Sequence, residues 1–318
     1  MPEPIYSYLG PAGTFTWVAL DQVPDAAPER RRAVTNVGEA LDDVVSGRAT
    51  AAMIAIENSI EGGVTAAQDA LAGTPGLRIV GEHLVPVDFV LVTRPGTALA
   101  DVRVVAAHPV AYAQTHRRLD RELPGHEHLI ATSNVAAPQL LVDGKVDAAV
   151  APPGIEALLP VQVVATELAD NREAVTRFVL VSASHAIPER TGADKTSVVV
   201  ELPHDRPGGL VEMLEQFATR GVNLSLLTSR PIGDALGRYR FVIDFEGHIR
   251  DERVADALLG LKRFSPSVTY LGSYPAADRR AIEAAPRYDD AVFIEARDWL
   301  RGILSGEPGA ADAAAAGA

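Results

Sequence analysis

The sequence predicts a two-lobed α/β domain with a cleft, followed by a smaller α+β domain with the ferredoxin-like βαββαβ order. Three observations support this prediction. Short apolar runs alternate with helical patterns up to about residue 181. A polar stretch over residues 184–194, with Pro188 and Gly192, reads as a linker. The remaining elements follow the order βαββαβ. A chain of 318 residues is also long enough for two domains.

The first part contains apolar runs of the length and composition that are typical of buried strands. These predicted strands cover residues 5–9, 51–56, two segments of 77–91 around Pro86, 102–106, 129–131, 147–151, 161–165 and 178–181. Between them lie helical patterns that begin near Trp17, cover residues 37–46 and 64–71, include Gln114, and begin near Thr132. This alternation predicts one or two mostly parallel sheets.

In the second part, strands are predicted over residues 196–202, 222–229, 238–245 and 268–271, and helices over residues 209–219 and 251–262. An amphipathic helix over residues 288–304 and a disordered tail over 306–318 complete the chain. The predicted domain limits are 1–183 for the first domain, 184–194 for the linker, 195–275 for the second domain and 276–318 for the C-terminal helix and tail.

Composition excludes several classes of protein. The net charge of -13 argues against a nucleic-acid partner, which would require clustered lysine and arginine. The chain has no cysteine, which excludes disulfides, thiolate metal ligands and cysteine nucleophiles. No apolar run is long enough to span a membrane, and the N-terminus has no signal-peptide pattern, so we expect a cytoplasmic protein.

Polar residues cluster directly after four of the predicted strands, at positions 10–16, 57–59, 132–133 and 171–177. Ligands of open α/β folds bind at such strand ends. The clusters supply hydroxyl groups, backbone N–H groups at helix starts, and one or two cations. We therefore expect a cleft whose ligand has carboxylate and hydroxyl groups.

The segment 170–178 is the strongest candidate for the chemistry, because a hydroxyl, a guanidinium and an aromatic ring stand side by side in it. In an extended segment, Thr176 and Phe178 would share one face and Arg177 would point to the other. The alternative interpretation is a surface turn with an ordinary salt-bridging arginine.

Together, the motifs resemble those of the monofunctional bacterial prephenate dehydratases that have a C-terminal ACT regulatory domain. The resemblance covers residues 5–275 and rests on five motifs in the expected order. These are Leu9-Gly10-Pro11-x-Gly13-Thr14-Phe15-Thr16, Ile56-Glu57-Asn58-Ser59, Thr176-Arg177-Phe178, Arg206-Pro207-Gly208-Gly209-Leu210 and Thr228-Ser229-Arg230-Pro231. The chain departs from the family pattern at Thr132-Ser133-Asn134, where Ser-Thr-Ala is usual, and at Gly209 and Thr228, where Ala and Glu are usual.

The resemblance implies a catalytic cleft like that of periplasmic binding proteins and the conversion of prephenate to phenylpyruvate without a cofactor or metal. It implies that Thr176 assists the leaving hydroxyl and that Arg177 holds a carboxylate. Glu57 is either a buried acid or a structural carboxylate, and Asn58 is grouped with these catalytic residues. The implied substrate-binding residues are Thr14, Ser59, Gln114, Thr132, Ser133 and Phe178, the last with core packing as its main role.

For the second domain, the resemblance implies feedback inhibition by phenylalanine bound between subunits of a homodimer or homotetramer that pairs through its ACT domains. The implied effector-binding residues lie in and directly after the turn at 205–209 and on the facing strand. They are Arg206, Pro207, Gly208, Gly209, Leu210, Asn223, Ser229, Arg230 and Pro231. The alternatives are an enzyme acting on arogenate, a non-catalytic binding or regulatory module, and an ACT domain that dimerises without a ligand.

Overall fold

The computed structural model describes residues 3–60, 62–202, 206–232 and 238–305. The turn predicted at Asp205 and the disorder predicted for residues 306–318 lie outside these ranges. The chain divides into two compact units, residues 1–77 with 82–184, and residues 78–81 with 185–318.

The first unit contains two sheets and their covering helices. Its strands are β1 (Tyr6–Leu9), β2 (Arg31–Val34), β3 (Ala51–Asn58), β4 (Gly62–Gly63), β5 (Arg78–Pro86, which begins in the second unit), β6 (Val90–Thr93), β7 (Val104–Ala107), β8 (Glu127–Ile130), β9 (Ala148–Ala151), β10 (Gln162–Ala165) and β11 (Val175–Ser182). Its helices are α1 (Phe15–Leu20), α2 (Val37–Val45), α3 (Thr65–Gly73), α4 (Pro109–Glu122) and α5 (Ala136–Val142).

Both sheets are mixed, so the prediction of mostly parallel sheets is wrong in this respect. The first sheet has the order β2-β1-β3-β11-β5, and the second has the order β10-β6-β9-β7-β8. Strand β1 runs parallel to β2 and β3, whereas β11 runs antiparallel to β3. In the first sheet, the difference arises because the chain leaves after β5, builds the second sheet, and then returns as β11. In the second sheet, β6 runs antiparallel to both β9 and β10.

Each sheet buries an apolar face. In the first sheet, Tyr8, Met53 and Phe178 belong to one core cluster and are almost completely buried. Helix α2 covers this unit with Leu41 and Val44, but Val45, which was predicted to share that face, is 57% exposed. Asn36 starts this helix by accepting a hydrogen bond from the Glu39 N–H at 2.9 Å.

The chain crosses between the two sheets twice, and the two crossings are hydrogen-bonded to each other. The Val87 N–H donates to the Ala174 carbonyl at 2.7 Å, and the Leu168 N–H donates to the Phe89 carbonyl at 3.0 Å. The second crossing leads directly into β11, which begins at Val175. The two sheets are therefore linked by two chain segments that are hydrogen-bonded to each other, rather than by independent loops.

Asp170 anchors the second crossing to α4. Its carboxylate accepts hydrogen bonds from the backbone N–H groups of Arg117 and Arg118, at 3.1 and 3.2 Å. In the opposite direction, the Asp170 N–H donates to the Gln114 carbonyl at 2.7 Å. The segment before Thr176 is thus attached to the second sheet's helix, which the sequence did not indicate.

The second unit contains β12 (Asp194–Glu201), α6 (Gly209–Ala218), β13 (Leu224–Pro231), β14 (Tyr239–Glu246), α7 (Glu252–Phe264), β15 (Val268–Pro275) and α8 (Asp290–Ser305). Its sheet has the order β13-β14-β12-β15, and the three pairings are antiparallel. This is the predicted βαββαβ unit. Residues of α8 are not buried, and Trp299 is 65% exposed, while Asp290 at its start accepts from the Glu252 N–H at 2.8 Å.

Candidate active site

A cavity of about 320 Å³ in the first unit is lined by residues from both sheets. The first sheet and its loops contribute Thr14, Ala55, Thr176 and Phe178. The loops that follow β7 and β8 contribute His108 and the three consecutive residues Thr132, Ser133 and Asn134. Three of the four polar clusters predicted at strand ends thus contribute to one cavity.

Thr176 is held in a defined orientation by Asn58. The two residues are directly opposite each other in the β11–β3 pair, and Asn58 Nδ2 donates to Thr176 Oγ1 at 3.0 Å. The Asn58 amide is itself oriented, because its Oδ1 accepts from the Ile60 N–H at 2.8 Å. Since the Thr176 oxygen accepts from Asn58, its hydroxyl hydrogen is directed to another acceptor. The geometry therefore prepares Thr176 as a hydrogen-bond donor in the cavity.

Ser59 fixes the start of the same strand. Its Oγ accepts from the Val175 N–H, and its own N–H donates to the Val175 carbonyl, both at 2.9 Å. Ser59 is absent from the cavity lining. Its predicted contact with substrate stays a prediction, and the contacts observed in the structure are with the backbone next to Thr176.

Arg177 and Glu57 are on the face opposite to Thr176, as strand alternation predicts. Arg177 forms a short ion pair with Glu82, and its Nη1 is 3.4 Å from Glu57 Oε2. The cavity lining includes Thr176 and Phe178 but not Arg177 or Glu57. The role of Arg177 as a receptor for a substrate carboxylate therefore stays a prediction.

Hydroxyl side chains at two helix starts, Thr14 and Ser133, both cap the helix and line the cavity. Thr14 caps α1 by accepting from the Trp17 N–H at 3.3 Å, and Ser133 accepts from the Ala136 N–H at 2.9 Å. Thr132 is exposed on the cavity wall. Gly13 makes the first turn possible, because it has φ +86° and a Cβ there would lie 2.7 Å from the Leu158 Cδ1.

Three side-chain amides in the described part of the chain, Gln68, Gln114 and Asn134, have a buried polar atom without a hydrogen-bond partner. Asn134 lines the cavity with a buried Oδ1 of this kind, while Gln114 is only 8% exposed and both of its amide atoms are unpartnered. Gln114, predicted to bind substrate, is not part of the cavity lining. Ser133, rather than Asn134, bonds to the start of α5.

The predicted effector residues lie at three places in the second unit: the start of α6, the residue before β13, and the end of β13. Gly208, with φ +85°, precedes α6, and Arg206 forms an ion pair with Glu212. Asn223 lines a cavity of about 630 Å³ together with residues such as Lys195 and Glu246, and neither Arg206 nor Gly208 is part of that lining. Of the remaining predicted residues, Pro207, Gly209 and Leu210 are at the start of α6, and Ser229, Arg230 and Pro231 are at the end of β13.

The fold and the site define a two-lobed α/β unit with a hydroxyl-lined cavity, joined to a βαββαβ unit. A family model described as prephenate dehydratase matches residues 6–186, and an ACT domain model matches residues 196–263. The chain belongs to the prephenate dehydratase family.

Individual relatives match nearly the whole chain. A prephenate dehydratase from Amycolatopsis methanolica is 43% identical over 304 residues, covering 95% of this chain and 98% of the relative. The crystal structure of prephenate dehydratase from Arthrobacter aurescens in complex with L-Phe has a TM-score of 0.90 and 51% identity, covering 95% of this chain and 99% of that chain.

A third relative has the same fold under a different functional name. The solved structure of GqqA, described as a novel type of quorum quenching acylase, has a TM-score of 0.78 and 30% identity, covering 87% of this chain and 100% of that chain. Because one fold can support different reactions, the reaction has to be argued from the site. Among the described residues, no helix is long and apolar enough to cross a membrane.

Proposed function

We propose that this chain is a prephenate dehydratase, which converts prephenate into phenylpyruvate, carbon dioxide and water. The observation that carries the proposal is the Thr176 hydroxyl, oriented by Asn58 as a donor in a cavity of a prephenate dehydratase family member. Membership of the family and its near full-length relatives support the substrate assignment.

In the proposed reaction, the bond between the ring and its carboxylate breaks, and carbon dioxide leaves. The electron pair moves into the ring and expels the hydroxide at the opposite ring carbon, which takes a proton to become water. Aromatisation drives the reaction. The protein has to hold a dianion and to stabilise negative charge that develops on the departing oxygen.

Thr176 is proposed to donate its hydroxyl hydrogen to the departing oxygen. A threonine hydroxyl is too weak an acid to transfer a proton unaided, so the main contribution is a hydrogen bond that strengthens as charge develops. Asn58 supports this role because its Nδ2 donates a hydrogen bond to the Thr176 oxygen, so the hydroxyl hydrogen points to another acceptor. The reacting face of the substrate would then lie against Thr176 and Phe178, which share the cavity wall.

The carboxylates of the substrate are proposed to bind the hydroxyls and helix starts around the cavity, at Thr14, Thr132 and Ser133. Gln114 is proposed to contribute to substrate binding from α4. Ser59 and Glu57 are proposed to support β11, the strand that carries Thr176, and Arg177 is proposed to act together with them. Support for the last three comes from their contacts with β11 and its neighbours.

The test is turnover of prephenate, and separately arogenate, by the wild-type chain and by Thr176→Ala and Thr176→Ser. We expect Thr176→Ala to lower kcat by about 10² to 10⁴, the range for removal of a positioned proton-transfer or oxyanion-stabilising group. Thr176→Ser, which keeps the hydroxyl, should stay within about tenfold of wild type. Unchanged circular dichroism would exclude unfolding.

Phenylpyruvate from the wild-type chain, lost in the alanine variant, supports the proposal. Product from arogenate alone would move the assignment to arogenate dehydratase. Near-normal turnover by Thr176→Ala would remove Thr176 from the mechanism. A folded wild-type chain that converts neither compound would leave the non-catalytic binding module.

We further propose that phenylalanine inhibits the enzyme through the ACT domain, at a site completed by a second subunit in a homodimer or homotetramer. The L-Phe complex of the Arthrobacter aurescens relative supports the choice of effector. Asn223 lines a cavity that does not include Arg206 or Gly208 of the same chain, which supports a site shared between chains. Calorimetry with phenylalanine and light scattering with and without it provide the test. Absence of binding would leave an ACT domain that only dimerises.

The limits 1–183, 184–194, 195–275 and 276–318 are proposed as the catalytic domain, linker, ACT domain and C-terminal extension. The first compact unit ends at Ser184 and the second resumes at His185, which supports the boundary between the catalytic domain and the linker. A cytoplasmic location is proposed because the substrate and effector are expected to be metabolites of that compartment. Fractionation of cells that express the tagged chain is the corresponding measurement.

A further inference from the structure

Glu82, which the sequence did not mark as part of the site, is buried beside the reactive strand. Its side chain is 0% exposed and is paired with Arg177, whose side chain is 7% exposed. Arg177 also contacts Glu57 at 3.4 Å. We call Glu57, Arg177 and Glu82 the charge triad. They come from β3, β11 and β5, which are adjacent in the first sheet.

The charge triad lies at the point where the register of the sheet is irregular. Thr176 is opposite Asn58 and Arg177 is opposite Glu57, but Phe178 is opposite Ala55. One residue of β3 is therefore left over, which is the signature of a β-bulge. The bulge lies between the Arg177–Glu57 pair and the Phe178–Ala55 pair, and both residues of the latter pair line the cavity.

Register decides which face of a strand each side chain occupies. A slip of one residue would move Thr176 to the face now occupied by Arg177, away from the cavity. Opposite charges on directly opposed residues favour the observed pairing of Arg177 with Glu57. Glu82 holds the same guanidinium from the other neighbouring strand, so β11 is fixed from both sides at this position.

The charge triad is also poorly suited to attract an anionic ligand directly. Its single guanidinium faces two carboxylates, and neither Arg177 nor Glu57 is part of the cavity lining. A substrate carboxylate that reached Arg177 would have to compete with Glu57 or Glu82. The geometry therefore favours positioning of the neighbouring threonine over binding of the substrate.

We propose that Glu82 is a positioning residue, which acts through Arg177 to hold β11 in the register that presents the Thr176 hydroxyl to the cavity. This inference rests on the proposed function, because its readout is the reaction assigned to Thr176.

The experiment measures kcat and KM for prephenate in wild type, Glu82→Gln and Glu82→Asp. Glutamine keeps an oxygen that can accept from the Arg177 Nε but removes the charge, so the variant is expected to fold. We expect Glu82→Gln to lower kcat about tenfold with KM within about twofold of wild type. Glu82→Asp, which restores the carboxylate on a shorter stem, should recover part of the loss.

Asp43→Asn is the matched control, because Asp43 is another carboxylate with a 0% exposed side chain, bonded to two arginines in the same unit. Its kcat should equal that of wild type even if its stability falls.

A lower KM in Glu82→Gln would overturn the inference, because it would show that the released guanidinium binds a substrate carboxylate. An unchanged kcat in Glu82→Gln would overturn it as well. Either result with an active wild-type chain leaves the proposed function intact, whereas an inactive wild-type chain refutes the proposed function itself.

Discussion

Two buried ion clusters in the first unit have opposite compositions. At α2, one carboxylate, Asp43, is bonded to Arg32 and Arg48, whose side chains are 50% and 54% exposed. In the charge triad, one guanidinium, Arg177, lies between Glu82, which is fully buried, and Glu57, which is 31% exposed.

The difference between the clusters is where the surrounding charges can go when the central charge is lost. Water can solvate Arg32 and Arg48 without Asp43, because both reach the surface. Glu82 has no such access to water. An uncompensated charge in the interior is costly, while a half-exposed charge is not. Similar ion pairs can therefore have very different consequences for stability, and the following variants test this.

The largest effect is expected for Arg177→Met, which removes the central charge and leaves Glu82 buried without it. We expect the free energy of unfolding to fall by about 3–5 kcal/mol, the range for breaking a buried ion pair from one side. Urea denaturation followed by circular dichroism measures it. A loss below about 1 kcal/mol would mean that water reaches Glu82 when the arginine is removed.

An intermediate effect is expected for Asp43→Asn, with a loss of about 1–3 kcal/mol from weakened hydrogen bonds to charged groups. Burial by itself would raise the pKa of Asp43, but hydrogen bonds from Arg48, Ser7 and Arg32 together hold the pKa below its ordinary value. A carboxyl with a lowered pKa in the folded state stabilises the fold above its unfolded pKa, and this contribution disappears as the pH falls through the folded pKa.

The pH dependence of Asp43→Asn sharpens this prediction. The difference in unfolding free energy between wild type and variant should be largest near neutral pH and should shrink below about pH 4, where the unfolded carboxyl takes up a proton. A difference that stays constant between pH 7 and pH 3 would contradict the assignment of the stabilisation to the ionised carboxylate.

The smallest effect is expected for Arg48→Ala. Arg48 is 54% exposed and Asp43 retains Arg32 and Ser7 as partners, so the loss should be about 0.2–1 kcal/mol. Thermal unfolding in low and high salt measures it, with a smaller loss expected in high salt. A loss equal to that of Asp43→Asn would contradict the view that the exposed partners are interchangeable.

These clusters also show how far the sequence can predict the site. Alternation along an extended segment was enough to place Thr176 and Phe178 on one face and Arg177 on the other, because that rule needs only local geometry. The clusters at strand ends were enough to bring Thr14, Thr132 and Thr176 to one cavity. Both predictions depend on short-range periodicity and on the topology of α/β folds.

Glu82 could not be found in this way. Its partner Arg177 is 95 residues further along the chain, and the pair exists only because β11 returns between β3 and β5. That return also explains why the first sheet is mixed rather than mostly parallel. The bond between Asp170 and the α4 backbone was missed for a related reason, since it depends on how the second crossing lies against a helix.

The paired crossings between the sheets have a mechanical consequence. The two crossing segments are hydrogen-bonded to each other, through Val87 with Ala174 and Leu168 with Phe89, and such a short paired connection has the form of a hinge between two lobes. Thr176 is two residues beyond Ala174 and so lies near that hinge, whereas Ser133 is on the loop that follows β8 in the other sheet. If the lobes rotate about that hinge, the Thr176 hydroxyl moves little, and the cavity wall that contains Ser133 approaches it.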